Sequence, residues 1–511
     1  MTGRRRHAFF FLTALVCASL NSGAGLRATN DTESPAGDKS QVWKGTIKVP
    51  GMPLDFVVRL KQAADESWSG TIDIPAQGAK DLALSDVGVD SAHMKFTLPV
   101  GAPAVFNLKL LDEARRADGN MDQHGQSFEV SAERITEAES ADVGPKRPQT
   151  PKPPFPYPTE DVTFRNDKED FSLAGTLAMP KGKGPFPALV MITGSGTQDR
   201  DETLFGHKPF LVIADHLARR GIATLRYDDR GAGGSKLPMD KLLASTSENL
   251  ADDARAAVDF LRKRKEIDPK RIGLIGHSEG GMIAPMIAAE DRDIACIVLL
   301  AGTALPGRDI LSRQLERISL AAGIPKENVD RQLKAQAKWM KLFTEGAPED
   351  EIRAALRELV EAQLEASGQK PKKNQIDEAT DQAFRSESNP WMKFFIAYDP
   401  RTALKQVTCP VLAMNGSLDT QVLPDDNLPA LRAALEEAGN KSVSIRKLPG
   451  LNHLFQRATS GLPGEYSSIE ETFSPKALKA MSTWLRKQMD TSDAKKSRAK
   501  KRVREDSPRG R

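Results

Sequence analysis

Between Gln41 and Ile135 the chain alternates apolar and polar positions in short runs. Trp43-Lys-Gly-Thr-Ile-Lys-Val49, Leu54-Asp-Phe-Val-Val-Arg-Leu60, Trp68-Ser-Gly-Thr-Ile-Asp-Ile74, Met94-Lys-Phe-Thr-Leu98, Val105-Phe-Asn-Leu-Lys-Leu110 and Phe128-Glu-Val-Ser131 are separated by turn residues. A period of two sends successive side chains to opposite faces of a strand. The stretch 41–135 therefore predicts a small antiparallel barrel or sandwich. Residues 28–40 before it are polar and read as a flexible lead-in. Residues 136–159 after it contain Gly144-Pro-Lys-Arg-Pro-Gln-Thr-Pro-Lys-Pro-Pro-Phe-Pro-Tyr-Pro158, a stiff, extended stretch expected to mark a domain boundary.

From residue 160 to about 490 the pattern changes period. Val162–Phe164 and Ser172–Met179 predict a hairpin across Asn166–Asp170. The apolar runs Ala188–Thr193, Ile222–Asp228, Ile272–Ile275, Ile294–Leu300, Cys409–Asn415 and Ser442–Leu448 are too short for helices and right for buried strands. Helical patterns stand between and after them, at Phe210–Arg220, Asn249–Lys265, Met282–Glu290, Leu428–Ala438 and Pro475–Met489. This alternation predicts a doubly wound, mostly parallel sheet covered by helices on both faces. Residues 305–400 break the rhythm with helical patterns alone, among them Ile310–Ala322, Val329–Phe343 and Glu349–Ser367. They read as a lid above the carboxyl edge of the sheet. Trp339, Met340, Phe343, Trp391, Phe394 and Phe395 are expected to form mostly its own core, with a few lining a pocket.

Charge is uneven along the chain. From Ala494 onward nine Lys/Arg face two acids, and residues 1–27 hold four arginines and no acid, so a total of +4 leaves −7 for residues 28–493. A mildly acidic body argues against nucleic acid as its partner. The tail 491–511 reads as a solvated basic run, with weak contact to anionic surfaces as the alternative. Residues 1–27 have a basic start, the apolar run Ala8–Ala18 and small residues at Ser22–Ala24. This is the pattern of a signal peptide for a secreted or periplasmic protein, with an uncleaved anchor as the alternative. Cys17 lacks the small residue before it that a lipoprotein site needs. Cys296 and Cys409 lie in apolar runs and read as buried thiols, with no disulfide framework implied. His93 and His124 are isolated and read as surface or structural residues.

Candidate chemistry is concentrated at Gly276-His-Ser-Glu-Gly280, between the strand Ile272–Ile275 and the helix Met282–Glu290. A serine at so sharp a turn sits in strained backbone, glycines give the flanking backbones room, and the next amide opens a helix. Ser278 needs a base within hydrogen-bond reach. His453, in a loop between the last strand and the closing helix, fits that role better than His207, His216 or His277. Asp419, in Asn415-Gly-Ser-Leu-Asp419 after an earlier strand, is placed to orient His453, with Asp425 and Asp426 as alternatives nearer a helix start. The loop Thr193-Gly-Ser-Gly-Thr-Gln-Asp-Arg-Asp-Glu202 is the candidate for an oxyanion hole, with the Ser195 amide preferred beside that of Glu279. Its charged end, Asp199-Arg-Asp-Glu202, reads as an internal ion-pair brace, with contact to substrate as the alternative. No metal cluster or phosphate loop is present in the sequence, and no cofactor is expected.

Taken as a set, Thr193–Glu202, Leu225-Arg-Tyr-Asp-Asp-Arg-Gly-Ala-Gly-Gly-Ser235, Gly276–Gly281, Asn415–Asp419 and Asn452-His453 resemble the bacterial α/β-hydrolase superfamily, in its secreted esterase-like and serine-aminopeptidase-like branch. The resemblance covers roughly residues 160–490. It implies Ser278 as nucleophile, Asp419 as acid, His453 as base and the Ser195 and Glu279 amides as the oxyanion hole. Tyr227–Ser235 is similar to a structural turn of that superfamily. Two departures are Thr193, where many members have histidine, and Pro285 inside the helix after the nucleophile, which is expected to kink it. The implied reaction is hydrolysis of a carboxylic ester through an acyl-enzyme. Alternatives are peptidase action on short peptides, whose amine would need an anchor such as Glu316 or Glu345, and an acyl thioester. The non-enzymatic alternative is a binding module with an inactive hydrolase fold.

Overall fold

The computed structural model describes residues 39–49, 53–75, 79–99, 103–123, 126–140, 143–144, 146–366 and 371–489. The signal segment 1–27 with Cys17, most of the lead-in, His124 and the basic tail lie outside the described residues.

The first sheet is an antiparallel meander. Its strands are β1 (Lys39–Ile47), β2 (Leu54–Gln62), β3 (Trp68–Ile74), β4 (Ala79–Ala83), β5 (Ser85–Val89), β6 (His93–Leu98), β7 (Ala104–Leu111), β8 (Arg116–Gln123) and β9 (Gln126–Ile135), in the order β4-β3-β2-β1-β9-β8-β7-β6-β5. The two outer segments follow one another in sequence, joined by Leu84, whose N–H donates to Gly70 O at 3.0 Å. One bent strand thus pairs with β3 through its first half and β6 through its second, and the sheet closes into a barrel. Closure removes the free strand edges that would template aggregation. Inward positions of a barrel this size are filled by side chains. Trp43, Phe56, Ile72, Met94, Phe96 and Phe106 are buried there, with the Phe96 and Phe106 rings stacked at 4.5 Å. His93 is exposed beside Asp90.

The second sheet contains β10 (Thr159–Asn166), β11 (Phe171–Ala178), β12 (Phe186–Ile192), β13 (Ala223–Tyr227), β14 (Ile267–His277), β15 (Ile297–Leu300), β16 (Val411–Gly416) and β17 (Val443–Leu448). Their order is β10-β11-β13-β12-β14-β15-β16-β17, antiparallel across the first three and parallel from β13 onward. β14 begins five residues before the predicted run and β15 is shorter than predicted. Neighbouring residues of these strands go to opposite cores. Val190, Leu274, Leu299 and Ala413 face the helices Ser247–Arg262, Gly280–Glu290 and Pro424–Glu437, while Leu189, Ile275, Val298 and Leu412 face Pro209–Ala218 and Pro475–Met489. Each fully buried Leu, Ile or Val contributes about 1.5–3 kcal/mol. The helix Gly280–Glu290 is continuous through Pro285. Cys296 is buried and Cys409 half-buried, both as free thiols. Among the described residues no helix is long and apolar enough to cross a membrane.

The proline-rich stretch is docked on the second sheet's layer. Arg147 donates to the carbonyls of Phe205, Ser467 and Ile469, and Gln149 bonds the main chain at Thr472 and Phe473. Phe155 and Tyr157 pack with Ala178 and Ala218. The barrel core continues into Phe205, Leu454 and Tyr466 of the same surface.

After β13 the chain turns through a buried charge network. Arg230, 2% exposed, bonds Glu169, Asp253, the Ser245 hydroxyl and Asn249 O. Burial pushes Asp253 up to about 6 even against this pairing. Removing one partner of such a pair leaves an uncompensated buried charge. Arg230→Leu should therefore lower unfolding free energy by about 3–5 kcal/mol, measured by urea unfolding, and a change below about 1 kcal/mol would contradict this account.

Candidate active site

Parallel strands deliver their carboxyl ends to one edge. At that edge β12 leads into Ser195, β14 into Ser278, β16 into Asp419 and β17 into His453. Ser278 has φ 52°, in the left-handed region that costs a side-chain-bearing residue about 1–3 kcal/mol. The turn is held by Ser278 N–H donating to Leu300 O at 2.8 Å and Gly281 N–H donating to Ser278 O at 2.9 Å. A Cβ on Gly276 would lie 1.9 Å from Gly280 O, and one on Gly280 would lie 2.2 Å from Ile192 O. Only glycine fits either place. The Glu279 amide opens the helix Gly280–Glu290, where backbone N–H groups favour negative charge.

His453 and Asp419 are both buried, with Nδ1 of the ring 2.8 Å from Asp419 Oδ2. The other carboxylate oxygen accepts from the N–H groups of Gln421 and Val422. A carboxylate only accepts, so the neutral ring carries its proton on Nδ1 and keeps a lone pair on Nε2. Asn452 shapes the loop, its Oδ1 accepting from Leu454 and Gln456 N–H. The alternatives to Asp419 are used elsewhere: Asp425 bonds Lys447 and Asp426 pairs with Arg313. His207 sits between the Thr472 hydroxyl and Tyr466 O, and His216 beside the Ser482 hydroxyl.

In the loop after β12, the Gly194 N–H is committed to Glu202 Oε1 at 2.8 Å, while Ser195 is half-buried at the surface of the site. Thr193 Oγ1 donates to Asp229, which also accepts from Gln198 N–H. The charged run divides its contacts. Arg200 pairs with Asp228, Asp201 with Lys208 and Arg226, and Glu202 with His277.

Several side-chain contacts at the site were not legible in the sequence. Glu279, 1% exposed, accepts from Ser247 Oγ at 2.6 Å and from Trp391 Nε1 at 2.8 Å, tying the insertion to the elbow. Burial raises its proton affinity. Trp391, Phe394 and Phe395 pack with Met282 and Ile310, whereas Trp339, Met340 and Phe343 form the insertion's own core. Between the insertion and the start of the helix Ser247–Arg262 lies a cavity of about 420 Å³, whose lining does not include Ser278, Asp419 or His453. Gly196 and Thr197 line one part, and Leu250, Leu356, Leu359 and Trp391 give it an apolar wall. The acid of the insertion that lines it is Glu387. Glu316 pairs with Lys326, and Glu345 is exposed. Among the described residues no group of three or more His, Cys, Asp or Glu is placed to hold a metal ion.

Known proteins resemble this chain as follows. A family model described as X-Pro dipeptidyl-peptidase (S15 family) matches residues 170–447. The esterase EstD of Thermotoga maritima is 28% identical over 308 residues, covering 59% of this chain and 61% of its own length. The thiohydrolase apmlB of Arthrinium phaeospermum is 31% identical over 150 residues, 29% of this chain and 44% of its own. The chain thus spans less than two thirds of either relative. The solved α/β-hydrolase GrgF from Penicillium sp. sh18 is 18% identical, with 65% of this chain and 99% of that one covered at a TM-score of 0.40.

Glu387 gives a pH test of the cavity wall. It is 3% exposed, its Oε2 has no hydrogen-bond partner among the described residues, and burial pushes its carboxyl from 4.5 up to about 7. Between those values the folded chain keeps a proton that the unfolded chain releases, so this group's contribution to stability falls as pH rises. Glu387→Gln cannot ionise and removes the fall. Relative to wild type it should gain on the order of 2–3 kcal/mol between about pH 5 and about pH 8 in urea unfolding, and an equal shift at both would refute the assignment.

Proposed function

The chain belongs to the X-Pro dipeptidyl-peptidase (S15) family, with the α/β-hydrolase fold, and from that premise we propose that it is a serine hydrolase cleaving carboxylic esters through an acyl-enzyme. Ser278 Oγ attacks the carbonyl carbon while His453 Nε2 takes the hydroxyl proton. The oxyanion is held by the Ser195 and Glu279 amides. Collapse of the tetrahedral intermediate expels the alcohol, which takes the proton from His453. Water then attacks the acyl carbonyl with His453 again as base, and the acid departs as Ser278 regains its proton. Asp419 keeps the ring oriented and stabilises its cation.

The observation that carries this reading is the His453–Asp419 pair at 2.8 Å, delivered to the same sheet edge as the left-handed Ser278. The apolar wall beside Gly196 and Thr197 supports a substrate with an apolar group. The family match favours a second reading, cleavage of short peptides, and the thiohydrolase among the relatives is in line with acyl thioesters. We take residues 41–135 and 160–490 as two domains across 136–159, with 305–400 as the lid, and residues 1–27 as an export signal.

Labelling by a fluorophosphonate, mapped by mass spectrometry, should be confined to Ser278. Ser278→Ala should remain folded and lose at least about ten-thousand-fold in kcat on ester substrates. Undiminished turnover would sink the assignment. Absence of labelling in folded wild-type protein would favour a binding module with an inactive hydrolase fold.

A further inference from the structure

Behind His453 lies a second histidine–acid pair. His277, the residue before Ser278, points away from the nucleophile and into the protein. Its Nδ1 is 2.8 Å from Glu202 Oε1 and its Nε2 is 3.2 Å from the carbonyl oxygen of His453. With Glu202 as the carboxylate, both partners are acceptors. A neutral imidazole has one N–H and one lone pair, so either tautomer would turn a lone pair toward an oxygen at one end. The imidazolium donates at both. His207 shows the contrast: one of its partners is the Thr472 hydroxyl, which can donate, so a neutral tautomer satisfies both contacts.

The surroundings of the pair are apolar. Phe210 and Ile213 from the helix Pro209–Ala218, Leu300 from β15, and Leu454, Phe455 and Phe473 enclose it. Glu202 and His277 are 5% and 6% exposed. The other titratable groups facing them are the His453 ring, 4.9 Å away, Asp419 behind it, and Asp229 on the side of Glu202. Burial alone would weaken proton binding by His277, but the Glu202 charge and hydrogen bond outweigh it and hold the ring above the ordinary imidazole range.

Three segments of the site meet at this pair. Glu202 Oε1 also accepts from Gly194 N–H at 2.8 Å, which fixes the start of the loop carrying Ser195. His277 is itself the last residue of the strand before Ser278. Its Nε2 bond fixes the main chain of His453. We propose that Glu202 and His277 form a permanent carboxylate–imidazolium pair that positions the oxyanion loop, the nucleophile turn and the base loop relative to one another. This rests on the reading of Ser278 and His453 given above. Both residues act through others and are positioning residues.

The test has a spectroscopic and a kinetic arm. In full-length protein with ¹⁵N-labelled histidine, the His277 resonances, assigned by their loss in His277→Asn, should show both ring nitrogens protonated across about pH 5 to 8. A ring that titrates or holds a neutral tautomer in that window overturns the proposal. Glu202→Gln keeps the shape but removes the charge. Its kcat per fluorophosphonate-titrated site should fall about 10- to 100-fold with KM within about twofold of wild type, and Glu202→Asp should recover part of the loss. A purely structural role would lower the number of titrated sites and leave kcat per site unchanged, and that result also overturns the proposal. Should Glu202→Gln fail to fold, the spectrum of the wild type still decides the charge state. Retained turnover in Ser278→Ala defeats the triad reading, whereas a titrating His277 defeats this proposal alone.

Discussion

Ser278 stands clear of the sheet because β14 and the helix after it cross with almost no space between their backbones. The limit is set by oxygen atoms, Gly280 O against Gly276 and Ile192 O against Gly280. Any side chain at either position would push the helix off the strand. That crossing also fixes its neighbours. Ile192 is the last residue of β12, so the loop carrying Ser195 departs from the contact itself. The helix that the crossing aims presents the Glu279 amide at its start, and Glu279 in turn holds the insertion through Trp391. The loop after β12, Ser278 and the insertion 305–400 are thus referred to one point of steric closure.

What could be read from the sequence followed periodicity. The closing helix Pro475–Met489 was legible to the residue, and the hairpin β10–β11 within a few, because their patterns are strong and local. The closing strand of the barrel was not. Ala79–Val89 has its period broken at Asp81 and Asp86, both with positive φ, and its register shifts against both neighbouring strands, so its pairing is set by partners on both sides rather than by its own pattern. The polar lead-in 28–40 overlaps the first strand, since β1 starts at Lys39. At the site, Asp419 and His453 could be picked out by following each strand to its end. Glu202 was legible as one acid of a brace but not with His277 as its partner, and Glu387 was not legible, because their burial comes from residues distant in the chain. His277 is visible as the residue before Ser278, but nothing in the sequence pairs it with Glu202.

The layer carries an unusual density of buried charge around the turn after β13. Arg200, Arg226 and Arg230 reach acids from four different segments, and Asp228 and Asp229 each brace the loop after β12 from below. Taking charges out of water is costly, and pairing with good geometry offsets it. The gain is directional. A carboxylate that bonds three donors at fixed angles defines a loop conformation more narrowly than apolar packing does.

The clasp of Arg147 and Gln149 has a consequence of this kind for the segment between β17 and the closing helix. That segment has little regular structure, yet it carries His453. Ordering a free loop costs roughly 1–2 kcal/mol of backbone entropy per residue. Where one guanidinium gathers the carbonyls of Ser467 and Ile469, and Gln149 bonds the main chain of Thr472 and Phe473, the ordering is completed when the chain folds. His453 is then already in place, and in the hydrolase reading proposed above none of a substrate's binding energy is diverted into freezing the loop that carries it.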